Sequence, residues 1–183
     1  MNEWITGDSF EVLKHFGDKS VDCIITDPPY DLKFEQKLRL QAEFEKISRG
    51  AIIVFAPPEN QWIWPVDQYL FWMKPISTKN TSKSYSRFVE MIFVYNVTTW
   101  NHDRHWSQYT NVFMDLVDDS KKHPFRKPPS LIERLILNHT NPGDFVLDPF
   151  AGSGVVPEVC DRLGRGWVAI EKDGSREWIK QLE

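Results

Sequence analysis

The segment Asp27-Pro28-Pro29-Tyr30 combines residue types suited to chemistry on a planar amine. An amino group on an aromatic ring is a poor nucleophile, because its lone pair is delocalised into the ring. The Asp27 carboxylate and the Pro28 carbonyl could each accept one N–H bond and draw the nitrogen toward tetrahedral geometry, and two prolines restrict the backbone that aims these acceptors. Tyr30 could stack on the ring. The alternative is a structural turn after a strand.

A glycine-containing segment, Asp148 to Gly154 (DPFAGSG), is predicted to lie between a strand and a helix. Glycine has no Cβ, so the backbone can approach a ligand closely. No lysine follows the glycines, which excludes a phosphate-binding P-loop, and the spacing is not the full G-x-G-x-x-G. Glu171 ends the next predicted strand, where a carboxylate can accept both hydroxyls of a ribose. These features indicate an adenosine-type cofactor; the alternative is a tight turn beside a solvated Glu171.

Short apolar runs alternating with helical patterns must position these two segments. Strands are predicted at 21–26, 51–56, 69–73, 88–95, 145–148 and 166–170, and helices after Asp8, at 35–49, at 129–138 and after Gly154. Residues 97–122 show no clear period and are predicted to be irregular. This alternation is typical of a mostly parallel α/β sheet, whose ligands bind beyond the carboxyl ends of the strands. Asp27, Asp148 and Glu171 all fall at such ends.

Composition limits the class of protein. The 183 residues are 41% hydrophobic and 26% charged, which fits one globular domain. A net charge of −4 excludes a protein that coats nucleic acid with its whole surface, but not one with a local basic patch. Cys23 and Cys160 lie in apolar runs and are predicted to be buried free thiols, and no Cys/His cluster has zinc spacing. No leader or long apolar run is visible, so a soluble intracellular protein is expected.

Together these segments resemble S-adenosylmethionine-dependent amino-methyltransferases. Asp27-Pro28-Pro29-Tyr30 looks like their catalytic motif and Asp148 to Gly154 like their cofactor loop. The catalytic motif precedes the cofactor loop, which is the permuted order of the β class of DNA methyltransferases. The resemblance covers 1–56 and 121–175 well and 57–120 poorly. Further matches are Gly7-Asp8 with Leu13, His123-Pro124 with Lys127-Pro128, and Asn141-Pro142-Gly143-Asp144.

The resemblance implies an α/β, Rossmann-like methyltransferase fold: a mostly parallel seven-stranded sheet with helices on both faces, in a single catalytic domain over 1–183. It implies S-adenosyl-L-methionine as cofactor and methyl transfer to N6 of an adenine flipped out of double-stranded DNA, in a bacterial or phage-infected cytoplasm. Cytosine-N4 members more often carry serine in place of Asp27, which favours adenine. The alternatives are cytosine-N4 methylation, an RNA substrate, or a silent subunit that binds nucleic acid.

By the same resemblance, each matching residue has an expected role. Asp27 and Pro28 would polarise the amine, Pro29 would restrict the backbone, and Tyr30 would stack on the base. Asp8 would bind the cofactor adenine with Ser9 beside it, Glu171 would bind the ribose, and Lys127 would position the methionine end or simply be solvated. The full set of expected cofactor-binding residues is Asp8, Ser9, Asp27, Lys127, Asp148, Phe150, Ala151, Gly152, Ser153, Gly154 and Glu171.

DNA contact must come from local basic segments. Residues 74–89 contain four basic residues and no acid, in a Ser/Thr/Asn-rich setting that suits phosphate contacts; solvated surface lysines are the alternative. The target-recognition region is expected to be reduced to about 75–87 and 97–120, so one protomer should read a short site, and a homodimer is possible. No metal and no membrane are expected as partners. The expected DNA-binding residues are Lys79, Lys83, Arg87, Lys122 and Arg126.

Overall fold

Eight strands and four α-helices make up the part of the chain that the computed structural model describes, residues 2–57, 62, 65–74, 88–116 and 126–172. The strands are β1 (Asn2–Thr6), β2 (Cys23–Thr26), β3 (Ile52–Ala56), β4 (Gln68–Met73), β5 (Val89–Tyr95), β6 (Val112–Phe113), β7 (Phe145–Asp148) and β8 (Gly166–Glu171). The helices are α1 (Ser9–Val12), α2 (Phe34–Ile47), α3 (Pro129–His139) and α4 (Val155–Leu163), with short 3₁₀ helices at Leu13–His15 and Trp106–Tyr109.

The strands form one sheet in the order β1-β8-β7-β2-β3-β5-β4-β6. Neighbouring strands are parallel except at β5, which runs antiparallel to both β3 and β4. The mostly parallel α/β sheet is therefore confirmed, and the described residues contribute eight strands to it where seven were expected. The sequence patterns did not identify β1 or β6. Both lie at the edges of the sheet, where β1 is largely exposed and β6 is only two residues long, so neither forms a continuous apolar run.

Helices cover both faces of the sheet, as expected. On one face, Leu135 of α3 and Val159 of α4 belong to a buried apolar cluster with Ile53 of β3. On the other face, Leu40 and Phe44 of α2 belong to a second buried apolar cluster. The strand residues of this cluster alternate along the chain with those of the first cluster, so their side chains lie on the opposite face of the sheet. Because side chains alternate along a strand, the continuous apolar runs predicted for β2, β3 and β7 are what a sheet buried on both faces requires.

Four acidic residues lie at the edge of the sheet formed by the carboxyl ends of β1, β8, β7 and β2, because these strands are parallel. Asp148 ends β7, Glu171 ends β8, Asp27 follows β2, and Asp8 follows β1. The sequence placed the first three at strand ends. The added fourth residue, Asp8, also caps α1, where its carboxylate accepts the Phe10 N–H at 2.9 Å.

The two cysteines, Cys23 and Cys160, are buried free thiols, as the sequence predicts. None of the helices in the described ranges is long and apolar enough to cross a membrane. Among the same residues, no three His, Cys, Asp or Glu side chains come together as a group of metal ligands.

Candidate active site

The structure brings the two chemically suggestive segments into one cavity. Asp27 follows β2 and the glycine loop follows β7, and these two strands are direct neighbours in the sheet. The cavity between them, called here the Asp27 cavity, has a volume of about 120 Å³. Seven residues that the sequence singled out line it: Asp27, Lys127, Asp148, Phe150, Ala151, Gly152 and Ser153.

The backbone of the glycine loop has a conformation that favours glycine. Gly152 and Gly154 have φ values of +47° and +72°, a region that is costly for residues with a Cβ. A Cβ added to Gly152 would meet no other atom within 4 Å, so the loop presents bare backbone to open space. The Gly152 N–H donates to Glu171 Oε2 at 2.7 Å, and the Ala151 N–H donates to the Ile170 carbonyl at 3.0 Å. These bonds fix the loop to the end of β8.

Asp148 lies buried under this loop, where its Oδ1 accepts the Phe150 N–H at 3.2 Å. Burial raises the pKa of Asp148 to about 7, and the Phe150 hydrogen bond only partly offsets that effect. The carboxyl group therefore changes protonation near neutral pH in the folded protein.

Asp8, Ser9 and Glu171 form the outer part of the same edge. The Ser9 hydroxyl donates to the Pro149 carbonyl, which links the start of α1 to the glycine loop. Asp8 Oδ2 accepts from Lys172 Nζ at 3.0 Å, and this hydrogen bond lowers the pKa of Asp8. These three residues flank the glycine loop but do not line the Asp27 cavity.

The Asp27 carboxylate belongs to a chain of alternating charges, called here the Asp27–Lys74 network: Asp27, Lys127, Glu90 and Lys74. Lys127 Nζ lies 2.5 Å from Asp27 Oδ2 and 2.6 Å from Glu90 Oε1. Glu90 Oε2 pairs with Lys74, which directly follows β4. The side chains of Lys127 and Glu90 are 9% and 3% exposed, so water screens their attraction little.

Burial and charge oppose each other in this network. Burial raises the pKa of Asp27; Lys127 opposes that rise without cancelling it, and Glu90 adds to it. Burial alone would lower the pKa of Lys127, but the two carboxylates outweigh it and raise the pKa. Burial alone would raise the pKa of Glu90, but the charges of Lys127 and Lys74 outweigh it and lower the pKa. Asp27 therefore holds its proton more strongly than a free aspartic acid does, whereas Glu90 holds its proton less strongly than a free glutamic acid does.

One oxygen of Asp27 remains available for a ligand. Oδ2 is held by Lys127, and the nearby Tyr30 hydroxyl also lowers the pKa of Asp27, whereas Oδ1 is buried and accepts no hydrogen bond from the described residues. A buried acceptor without a donor is costly, which makes Oδ1 ready to accept an N–H bond. Next along the chain, Pro28 is buried, Pro29 is exposed, and Tyr30 is 47% exposed. The Tyr30 hydroxyl donates to Glu90 Oε1 at 3.1 Å.

Glu90 is the site residue that the sequence analysis missed. A signal was present, because Glu90, Ile92 and Val94 alternate along β5 and so share one face of the strand. Ile92 and Val94 are fully buried on that face, and an acid beside them must have a partner. The sequence predicts a strand at 88–95 but gives Glu90 no role.

One expected DNA-binding residue is corrected by the structure. The Arg126 guanidinium is buried, donating to the Ser153 carbonyl at 3.1 Å and to Glu158 Oε2 at 2.8 Å. It supports the glycine loop and α4 instead of presenting an exposed charge. The other four expected DNA contacts, Lys79, Lys83, Arg87 and Lys122, lie outside the described residues, as does the candidate recognition segment 75–87.

Aromatic residues of the second candidate recognition segment do not line the Asp27 cavity. Trp100 and Tyr109 pack together with ring centroids 5.7 Å apart, and Trp100 also packs on His139 at the end of α3. All three rings line a different cavity, of about 380 Å³, beside the start of β4.

Comparison with known proteins places this fold and site in a family. The model of the DNA methylase family of N6 and N4 methyltransferases matches residues 51–179, which is well over half of the chain. The chain belongs to this family of DNA methylases. The segment 27–30 lies outside the matched range, and its first residue, Asp27, lines the cavity.

Individual relatives cover nearly the whole chain. The DNA adenine methyltransferase YhdJ of Escherichia coli K12 is 26% identical over 96% of this chain and 79% of its own length. The type II methyltransferase M.HpaI of Haemophilus parainfluenzae is 28% identical over 98% of this chain and 72% of its own length.

Solved structures share the fold. The crystal structure of an M1.HpyAVI–SAM complex superposes with a TM-score of 0.78 and 27% identity, covering all of both chains. The cytosine-N4-specific PvuII DNA methyltransferase superposes with a TM-score of 0.79 at 17% identity, covering 97% of this chain and 86% of its own. The Rossmann-like methyltransferase fold implied by the sequence motifs is thereby confirmed.

Proposed function

We propose that this protein transfers a methyl group from S-adenosyl-L-methionine to N6 of adenine in double-stranded DNA, in the cytoplasm of a bacterial cell. The observation that carries the proposal is the position of Asp27. Its carboxylate lies across one cavity from the glycine loop, with Oδ2 held by Lys127 and Oδ1 without a donor. The name of YhdJ, a DNA adenine methyltransferase, and the SAM complex of M1.HpyAVI agree with this choice of base and cofactor.

The residues present fit S-adenosyl-L-methionine. Gly152 exposes bare backbone to open space, Phe150 and Ser153 line the cavity, and Glu171 ends β8 beside the loop. The carboxylates of Glu171 and Asp8 suit the ribose hydroxyls and the adenine amine, respectively, and the loop has no lysine to pair with a phosphate. When bound, the cofactor supplies a methyl group made electrophilic by its sulfonium.

The chain's own residues would orient the target amine and change its electronic state. Asp27 Oδ1 and the Pro28 carbonyl would accept its two N–H bonds, which restores lone-pair density to the nitrogen. Asp27 Oδ1 is also placed to take the proton that the amine must lose. The exposed ring of Tyr30 would stack on the base, which must leave the DNA helix to reach a cavity at the edge of the sheet.

The deciding experiment identifies the modified nucleoside. The protein is incubated with isotopically labelled S-adenosyl-L-methionine and unmethylated double-stranded DNA, and the digested nucleosides are separated. Label in 6-methyladenine is the expected result. Label in 4-methylcytosine would correct the target base, label in RNA alone would correct the substrate, and no label with any nucleic acid would contradict the enzymatic function.

Asp27→Ala should abolish methyl transfer while leaving the affinity for S-adenosyl-L-methionine within about tenfold, since Asp27 acts on the amine. Single-turnover methylation and calorimetric titration of the cofactor measure the two quantities. Asp18→Ala, an exposed acid near the opposite edge of the sheet, is the matched control and should keep full activity. Retained turnover in Asp27→Ala would contradict the role given to this residue.

The proposal extends to how the DNA site is chosen. We propose a single catalytic domain over 1–183 in which a reduced recognition region, about 75–87 and 97–120, reads only about two to four base pairs, because each bidentate contact needs a placed side chain. A longer site would require a second subunit, as in a homodimer. Mapping methylated adenines after expression in a methylation-free host tests this, since a strict longer site methylated by a proven monomer would contradict it.

A further inference from the structure

Glu90 is a buried acid that touches three functional groups around the Asp27 cavity. Its Oε1 lies 2.6 Å from Lys127 Nζ and 3.1 Å from the Tyr30 hydroxyl, and its Oε2 pairs with Lys74. The register of the sheet puts Glu90 directly opposite Trp72 of β4, whose ring lies 5.1 Å from Lys74 Nζ and 5.8 Å from Lys127 Nζ. Glu90 is therefore placed by the strand register beside two lysines that the Trp72 ring attracts.

We propose that Glu90 is a positioning residue for methyl transfer, an inference that rests on the function proposed above. Glu90 shares the Lys127 ammonium with Asp27 and accepts a hydrogen bond from the Tyr30 hydroxyl. It thereby keeps Asp27 a strong acceptor with one oxygen free for the target amine. Glu90 itself lines no part of the Asp27 cavity. It acts through Lys127, which pairs with Asp27, and through Tyr30, which follows Asp27 in the same segment of the chain.

The geometry of Lys127 explains why a second carboxylate matters. An ammonium has three donors, and Lys127 directs one to Asp27 Oδ2 and another to Glu90 Oε1. Without Glu90, the full charge of Lys127 would fall on Asp27. An acceptor that is fully committed to a lysine is less basic, and a less basic acceptor draws less on the amine N–H.

The sign of the effect on Asp27 follows from the groups that face it. These are Lys127 before α3, Glu90 on β5, Tyr30 in its own loop and Asp148 at the end of β7. Glu90 raises the pKa of Asp27 and Lys127 lowers it. Removing the charge of Glu90 should therefore move the protonation of Asp27 to lower pH, whereas removing that of Lys127 should move it to higher pH.

Single-turnover methylation as a function of pH tests the proposal. Activity should be lost on the acid side as Asp27 takes up a proton. In Glu90→Gln this acid limb should move down by about one pH unit, and the plateau rate should fall about tenfold, with cofactor affinity unchanged. In Lys127→Met the limb should move up. Glu90→Asp keeps the charge and should keep the limb at the wild-type pH.

A second measurement separates this proposal from the enzymatic function. A ¹³C NMR titration of the Asp27 carboxyl, assigned with Asp27→Asn, needs no DNA and no turnover. Its midpoint should fall in Glu90→Gln, rise in Lys127→Met and stay in place in Glu133→Gln, which removes an exposed pair with Arg162. A midpoint that stays in place or rises in Glu90→Gln would overturn the proposal, even if the enzyme methylates adenine. A wild-type protein that methylates nothing would overturn the function instead.

Should Glu90→Gln fail to fold, Glu90→Asp still decides the question. In that variant the carboxylate is withdrawn by one methylene while its charge remains. Single-turnover rates should drop with an unmoved acid limb, because Lys127 and Tyr30 lose their geometry but Asp27 keeps the same charges around it. A wild-type rate in Glu90→Asp would show that the position of the carboxylate is unimportant and would also overturn the proposal.

Discussion

Two lysine–carboxylate contacts at the same edge of the sheet differ in burial. The Asp27 side chain is 31% exposed, but Lys127 is only 9% exposed and its second partner, Glu90, only 3%. Around Asp8, Lys172 is 71% exposed and the aspartate is 38% exposed. The distances between the lysine Nζ and the aspartate Oδ2 are similar, 2.5 Å and 3.0 Å, so distance alone does not distinguish the two contacts.

The difference in burial decides what each contact does. The exposed Asp8–Lys172 pair is screened by water and salt and contributes little to stability. In the buried network, removing one member leaves the others without compensation in a poorly hydrated site. Charge at the Asp27 end therefore controls protonation and folding, whereas charge at the Asp8 end is accessible to water and salt.

The largest expected effect is on Lys127. Lys127→Met keeps the length of the side chain but leaves Asp27 without its cation, so the free energy of unfolding should fall by about 3–5 kcal/mol. The loss should be greater at pH 8 than at pH 5, because unpaired buried carboxylates regain stability on protonation. Urea denaturation at the two pH values measures this. Equal losses at both would mean that lost packing, not charge, explains the effect.

An intermediate effect is expected at Asp148, a buried carboxylate with no ion pair among its described contacts. Its pKa in the folded protein is about 7, against about 3.9 when unfolded. Between these values the folded state keeps a proton that the unfolded state has released, so the free energy of unfolding falls as the pH rises through this window. Asp148→Asn removes that dependence.

The melting temperature should therefore rise in Asp148→Asn by roughly 5 °C at pH 8 and change little at pH 4. Scanning calorimetry across this range measures the difference. Asp18→Asn, at an exposed position, is the control and should follow the wild-type curve. A constant offset between Asp148→Asn and wild type at all pH values would argue against titration of Asp148.

The smallest expected effect is at the exposed pair. Lys172→Met should lower the free energy of unfolding by about 0.5 kcal/mol or less, and 0.5 M salt should abolish the difference. The losses of stability in Lys172→Met and Lys127→Met can be compared directly, because each variant replaces the lysine of one lysine–aspartate pair by methionine. A loss as large as that of Lys127→Met would contradict the distinction drawn between the two contacts.

Sequence patterns predicted the elements that carry strong local signals. The strands β2, β3 and β7 come from continuous apolar runs, and β5 is apolar apart from Glu90. In α2, Leu40, Phe44 and Ile47 have helical spacing. The positions of these elements were therefore predicted to within a few residues. The placement of Asp27 and the glycine loop at one edge also followed, because parallel strands put their carboxyl ends together.

Local sequence patterns could not predict which residue each charged side chain pairs with in the fold. Lys127 and Asp27 are one hundred positions apart in the chain, and Glu90 lies between them on a strand that runs the other way. Whether a lysine is solvated or buried between two acids depends on the order of strands in the sheet. The burial of Arg126 has the same origin, since its partners Ser153 and Glu158 follow a later strand.

The reversal of β5 has a practical consequence for protein engineering. Because β5 is antiparallel, its first residues lie at the edge where β2 and β3 end, and the Lys74 N–H donates to the Phe88 carbonyl at 2.6 Å. Lys74 and Phe88, the residues on either side of 75–87, are thus held next to each other by the hydrogen bonding that joins β4 and β5. Since the entropy of closing a connection between two fixed ends grows slowly with its length, segments of other lengths can be grafted between Lys74 and Phe88 without moving Glu90 out of register.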